Sequence, residues 1–412
     1  MASKRVIALE QPAAVLRHLA WLALLGGLAL TLAACGTPQG NQQQGQQSQP
    51  VEAPPEPQRP EGLTEDGKIG IGFLAPLTGP QSGVGQAILQ AAQMAFLDNA
   101  DEGAALLVAD SGGNAATAAR ATQDLIDRGA AIIIGPLFAE SVRAAAPVAQ
   151  RSGVPLLAFT NDDSVAQPGV FALGLSPSAQ VERVVDYAAR NGLLRFGAFA
   201  PDDRYGRLAT SALQQAAGRP PLQVTEIAYY SSTAEEIDAQ ARAFSRGAGS
   251  YDAVLLPDGG QRLLGVAPYL PYYDVAQPEI RFLGTQLWEN TDIAREETLH
   301  GGWFAAPDPQ AWADFARRYD QLYGEGPPRV ASLGYDATAI AAVFARGQVQ
   351  GFDAGRVYSR AALTQDGGFF GIDGIFRLLD DGTVERGLAI LELQRGGPVV
   401  IEPAPQSFSA AF

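Results

Sequence analysis

The chain has 412 residues, 44 Asp and Glu against 29 Lys and Arg, a net charge of −15, one cysteine and two histidines. An acidic surface argues against nucleic acid or anionic lipid as a partner, and a lone cysteine makes no internal disulfide. With no clustered His or Cys spacing, neither a metal centre nor a cofactor is expected.

In chain order, residues 1–34 read as a cleaved export signal. Lys4, Arg5 and Arg17 precede an apolar run from Leu19 to Leu32, too short and wrongly flanked for a spanning helix. "TLAAC" ends in Cys35, and the pattern resembles a bacterial lipoprotein signal, in which that cysteine becomes the lipidated first residue. An ordinary signal peptide with an incidental thiol is the blander reading. Gly36 follows, which by analogy with such lipoproteins implies an outer-membrane anchor facing the periplasm. Removing residues 1–34 leaves 26 basic residues against 43 acidic ones, a net charge of −17. Residues 35–67 are rich in Gln and Pro, bury too little to offset their ordering entropy, and read as a flexible tether.

From Ile69, strand-like and helix-like segments alternate. "IGIGFLAPL" reads as a buried strand, then a helix over 86–97, the strand "ALLVAD" and a helix ending at Gly129. "AAIIIGP" runs into a helix from Ala139, followed by "VPLLAFT" and "VFALGL". Short continuous apolar strands, each handing over to a helix, imply a parallel sheet covered on both faces. A second such set runs over 175–306, beginning with an amphipathic helix that aligns Val181, Val184, Val185 and Ala188. Helices over 311–323 and 331–346 return to the first lobe, and Asp-Gly and Gly-Gly turns after 371 read as a meander-like ending in the second. The expected fold is α/β: two doubly wound Rossmann-like lobes with three crossovers. The first lobe is 68–174 plus about 307–370, the second 175–306 plus about 371–402, and 403–412 is a tail.

Ligands in open α/β sheets sit beyond the carboxyl ends of the strands. Those ends are poor in catalytic groups: no Gly-x-Ser-x-Gly elbow, no Walker loop, and only His300 once the signal is removed. Gly70 and Gly72 match a dinucleotide fingerprint on paper, but both lie inside the strand. The paired carboxylates Asp162/Asp163 and Asp202/Asp203 read as solvated or capping groups. An enzyme is not expected.

"FLAPLTGP", "IIIGPLFAESVRAAAPVAQRSGVPLLAF", "FAPDDRYGRLATSAL" and "LGYDATAIA" resemble the type I periplasmic binding proteins of the branched-chain amino acid receptor group, from Lys68 to about Glu402. Within that group, "IGPLFAESVRAAAPVA" and "GVPLLAFTND" are most similar to the penicillin-binding-protein activators, outer-membrane lipoproteins that stimulate peptidoglycan synthases. The resemblance implies a clamp with a ligand cleft. Carried over by position, the first carboxylate loop is Leu137, Phe138 and, one turn in, Ser141; the second is Thr160, Asn161 and Asp162. Glu140 already complements the helix dipole. The carboxylate cradle therefore reads as eroded unless Arg204 intervenes, and any ligand as amine-bearing. Tyr205 faces the ligand or supports the hinge. Thr78 reads as cleft or tight turn, and Asp258 as ammonium acceptor or helix cap. Trp288 and Tyr335 read as cleft wall or core. The reading implied is a regulator of a bifunctional peptidoglycan synthase, acting by contact and population shift. The alternative is a substrate-binding lipoprotein delivering an amino acid or related molecule to an ABC importer, and a sensor of cell-wall fragments would combine the two.

Overall fold

The computed structural model describes residues 62–408 apart from 232, 291 and 349–352. The signal segment, Cys35, most of the tether and residues 409–412 lie outside the described residues.

The first lobe begins with β1 (Ile69–Ala75), α1 (Ser82–Asn99), β2 (Ala104–Asp110), α2 (Ala115–Asp127), β3 (Ala130–Ile134), α3 (Ala139–Arg151), β4 (Leu156–Ala158) and β5 (Val170–Ala172). Its five strands are parallel in the order β2-β1-β3-β4-β5. Every residue of β1 and β3 is buried, because helices cover both faces of the sheet. Gly70 and Gly72 stand inside β1, paired to β2 and β3, so neither opens a phosphate loop.

The second lobe holds α4 (Pro177–Arg190), β6 (Arg195–Pro201), α5 (Arg204–Ala216), β7 (Gln223–Tyr230), α6 (Ala234–Ser245), β8 (Ala253–Leu255), α7 (Gly260–Val266), α8 (Tyr269–Tyr272), β9 (Arg281–Thr285) and β10 (Trp303–Ala306). Ser176 caps α4 by accepting from the Ala179 N–H at 3.2 Å, Pro177 sits in its first turn, and Val181, Val184, Val185 and Ala188 are all buried. The chain then returns through α9 (Pro309–Tyr323), α10 (Ala331–Ala345) and the single turns α11 (Ala354–Val357) and α12 (Arg360–Leu363). A small antiparallel sheet follows, β11 (Phe369–Gly371), β12 (Gly374–Leu378) and β13 (Val384–Arg386). Finally β14 (Ala389–Gln394) and β15 (Gly397–Glu402) join the second sheet antiparallel, giving the order β15-β14-β10-β9-β8-β6-β7.

Two boundaries differ from the sequence reading. Phe376 and Leu378 pack in the first core with Ile71, Phe73 and Ile340, so the third crossing lies near Gly387 and not near 371. The Asp-Gly turns foretell hairpins, but turn chemistry does not say which sheet a hairpin joins. At the other end, residues 62–67 are a turn folded onto the first lobe. Gly70 N–H donates to the Gly62 carbonyl at 3.1 Å, Thr64 N–H to the Lys68 carbonyl at 2.8 Å, and Leu63 packs on the core.

Charged side chains tie the lobes where the chain crosses. Arg329, ahead of α10, reaches Glu289 of the second lobe at 3.1 Å and Asp373 of the small sheet, with its guanidinium 4.2 Å from the Trp312 ring centroid. Ser332 donates to the other Asp373 oxygen at 2.7 Å. Arg386, buried beside the third crossing, donates to the Leu173 carbonyl at the first. Among the described residues, no helix is long and apolar enough to cross a membrane.

Glu402 anchors β15 to α4, accepting from Arg183 at 2.5 Å and from both terminal nitrogens of Arg190 at 2.8 and 3.0 Å. The Arg190 and Arg183 guanidiniums hold its carboxyl down to about 2. A depressed folded pKa gives stability that is complete above the unfolded value of about 4.3 and fades as pH falls towards 2. Glu402→Gln should therefore lower the unfolding free energy by roughly 1 kcal/mol at pH 7, after discount for partial exposure. In denaturant titrations that deficit should shrink to nothing as the pH is brought down to the acid limit.

Candidate functional site

The loops at the carboxyl ends of the two sheets face each other, and the corner after β3 is built first by its backbone. Gly135 has a φ of 103°, and a Cβ there would sit 1.9 Å from the Leu74 carbonyl oxygen. Only glycine passes this point, and it delivers Leu137 and Phe138 to the start of α3. Phe138 is the N-cap residue, extended at φ −92° and ψ 140°, and supplies no side-chain cap. The first amides of α3 thus lack the usual hydroxyl or carboxylate acceptor. Ser141, in the same turn, is 1% exposed, and its Oγ has no hydrogen-bond partner. A buried hydroxyl left unpaired costs about 1–3 kcal/mol, which a ligand acceptor would relieve.

After β4, Thr160 and Asp162 are buried and Asn161 is exposed. Thr160 Oγ1 accepts from the Asp162 N–H at 3.2 Å. The Asp162 carboxylate pairs with Arg143 of α3 at 3.3 Å, and with Arg204 of α5 from the other lobe. Ser164 adds its hydroxyl at 2.6 Å and its N–H at 3.1 Å. Burial alone would raise this carboxyl, yet Ser164 and Arg204 hold it below its ordinary value. The corner that reads as acidic in sequence thus sets two guanidiniums against the buried Asp162 and the partly buried Asp163, with Glu140 exposed to solvent. The sequence reading made the cradle depend on Arg204, and Arg204 does enter the corner, paired with Asp162.

Across the cleft, Asp203 caps α5 by accepting from the Gly206 N–H at 2.9 Å and pairs with Arg262 at 2.8 Å. Tyr205 donates to Thr285 Oγ1 at 3.0 Å, at the end of β9, and burial pushes its phenol up to about 12. It remains a neutral donor through the physiological range and braces the lobe's rim. Asp258 is fully engaged: Tyr230 donates to it at 2.6 Å, Arg262 at 2.6 Å and Gly259 N–H at 2.8 Å. Both oxygens of Asp258 have partners within the second lobe, and the residue is buried.

Thr78 is exposed after β1 and donates to Asp110 at 2.5 Å, whose other oxygen accepts from the Leu77 and Gly112 amides at 2.8 and 2.7 Å. Two residues stand elsewhere. Trp288 is wholly buried in the second core beside Phe304 and donates to the Leu256 carbonyl at 3.2 Å. Tyr335 donates to Asp98 at 2.8 Å, on a part of the first lobe formed by α1, α9 and α10. Sequence reasoning missed Arg143, Asp110 and Arg262. Their signal was indirect: each buried strand-end carboxylate requires cations or amides, and the helix arginines were the available supply.

The periplasmic binding protein family model matches residues 68–398. An uncharacterised protein of Rickettsia prowazekii (strain Madrid E) is 21% identical over 248 residues, covering 57% of this chain and 66% of that protein, just under two thirds of its length. Among solved structures, an ABC transporter substrate-binding protein from Sphaerobacter thermophilus is 17% identical with a TM-score of 0.66, over 81% of this chain and 96% of that one. A branched-chain amino acid transporter substrate-binding protein from Streptococcus pneumoniae, in complex with isoleucine, is 18% identical with a TM-score of 0.59, over 82% and 100%. An ABC transporter solute-binding protein from R. palustris, in complex with benzoate, is 18% identical with a TM-score of 0.59, over 82% and 97%.

Because Arg204 is exposed and Asp162 keeps Arg143 and Ser164, Arg204→Ala should change the unfolding free energy by less than about 1 kcal/mol. It should nevertheless release the lobes. Small-angle X-ray scattering of the ligand-free variant should give a larger radius of gyration than wild type, and an unchanged radius would show that the bridge does not restrain the clamp.

Proposed function

The chain belongs to the periplasmic binding protein family, and from that premise we propose that it binds a small carboxylate-bearing solute between its lobes and hands it to an importer. The observation that carries this reading is the unpartnered, buried Ser141 hydroxyl inside the uncapped amino end of α3. A carboxylate there would accept from the hydroxyl and the first amides, with the helix dipole and the Arg143–Arg204 pair beside it. The relatives in complex with isoleucine and with benzoate share the fold, and each of those ligands carries such a group. Family membership places the chain among binding proteins, not enzymes. These findings support a small-molecule clamp above the contact with a peptidoglycan synthase expected from the subfamily resemblance.

A thermal-shift screen of the full chain with leucine, isoleucine, benzoate and their carboxamide counterparts tests the reading. A carboxylate at about 100 times its Kd should stabilise by about 2.7 kcal/mol, and its carboxamide should bind at least tenfold more weakly. Ser141→Ala should cost the carboxylate roughly tenfold or more in affinity. Indifference to every carboxylate at millimolar concentration would remove the proposal, and recovery of a peptidoglycan synthase with the solubilised protein would put the contact reading in its place.

The same proposal sets the protein on a lipid anchor at Cys35, in the outer membrane and facing the periplasm. Mass spectrometry of membrane-extracted protein should find an acylated amino-terminal Cys35, and Cys35→Ser should shift the protein to the soluble fraction.

A further inference from the structure

A cavity of about 560 Å³ lies within the first lobe, its wall made by α9, α10, β11, the end of α1 and Phe376 of β12, with none from the second lobe. That volume is in the range of about 300–1,000 Å³ usual for small-molecule pockets. Phe315, Ile340, Val343 and Phe370 give it an apolar lining, with Phe370 73% and Val343 55% exposed. Large apolar side chains held open to water beside a concavity mark an interaction site better than scattered surface residues do.

One polar group on this wall is out of keeping. Asp336 is 2% exposed, its Oδ1 accepts from the Ile372 N–H at 2.8 Å, and its Oδ2 has no hydrogen-bond partner. Gly371 lies directly against it: a Cβ at that position would stand 2.3 Å from Oδ2, so the missing side chain is what makes room for the carboxyl. Burial and the nearby Asp373 push this carboxyl well above the usual carboxylate range. Arg386 opposes them from a distance but makes its hydrogen bond to the Leu173 carbonyl. The cation on the wall, Arg318, is taken by Asp98, and Asp314 is taken by Arg317. The carboxyl takes backbone donors from Ile372 and Asp373, yet its Oδ2 is buried beside an aromatic cavity with no hydrogen-bond partner.

We propose that this cavity binds a small aromatic amine, its ring against Phe315 and Phe370 and its ammonium on the Asp336 carboxylate. An ammonium provides both the missing donor and the counter-charge, and aromatic faces attract it further. A hydroxyl would supply the donor without the charge, and a carboxylate would be repelled by Asp336 and Asp373.

Calorimetric titration of the full chain with 2-phenylethylamine, 2-phenylethanol and 3-phenylpropanoate tests this. Saturable binding of the amine is expected, with the alcohol at least tenfold weaker and the acid without binding. Asp336→Asn should weaken the amine tenfold or more, Ala339→Trp should fill the cavity and abolish binding, and Phe370→Ala should weaken it several-fold. Should Asp336→Asn fail to fold, the two wall variants decide: wild-type affinity in both would overturn the proposal. Equal affinity for alcohol or acid, or no saturable binding of the amine at millimolar concentration, would overturn it as well.

Discussion

The carboxylate of Asp162 is the constraint around which the cleft is organised. It is buried, so it must be neutralised, and the fold does so with one arginine from its own lobe and one from the other. The pairing has two effects from one cause. It brings two guanidiniums to the corner beside α3, and it makes lobe closure part of the solvation of a buried ion. A charge of this kind stabilises little by itself, but leaving it unpaired is costly, so it selects one arrangement of the lobes over others.

The junction where the chain crosses between the lobes follows similar logic. Arg329 is shared between Glu289 and Asp373, and Arg386 clasps the Leu173 carbonyl, so segments far apart in sequence are held at the crossings by charge instead of by an apolar core. Several atoms of this set, including Arg386 Nε and Nη1, Arg329 Nη2 and Glu289 Oε1, have no partner. Polar groups left incompletely satisfied between two lobes are where an alternative pairing costs least.

Much of the architecture was legible in the sequence, because buried parallel strands read as continuous apolar runs and helices announce themselves by caps. The run "IIIGP", the Ser176-Pro177 start of α4 and the Asp308-Pro309 start of α9 are such signals. The attachment of the last hairpins was less legible. Their turns are local chemistry, whereas the choice between the first core, which takes Phe376, and the second sheet, which takes Ala389, is tertiary. The candidate site divides the same way. Ser141, Thr160 and Tyr205 sit at the strand ends expected from position. Trp288 does not face the cleft, because its bulk fills the second core. The sign of charge at the corner needed three dimensions: Asp162 is visible in sequence, but Arg143 and Arg204 lie 19 and 42 residues from it.

The pairing of α1 with α10 has a consequence for synthesis. The buried face of α1, with Ile88, Ala91 and Ala95, belongs to a lobe whose remaining pieces are encoded after most of the second lobe, whose own last strands, β14 and β15, come later still. As the chain emerges in order, that face has only the first strands of its own lobe to pack on until Phe315 and Tyr319 of α9, and then α10, exist. Most of the second lobe is therefore made while the first is an unfinished fragment, so the nascent chain carries a sticky, half-built domain for most of its passage. A discontinuous blueprint of this kind favours keeping the whole polypeptide unfolded until its last strands are available.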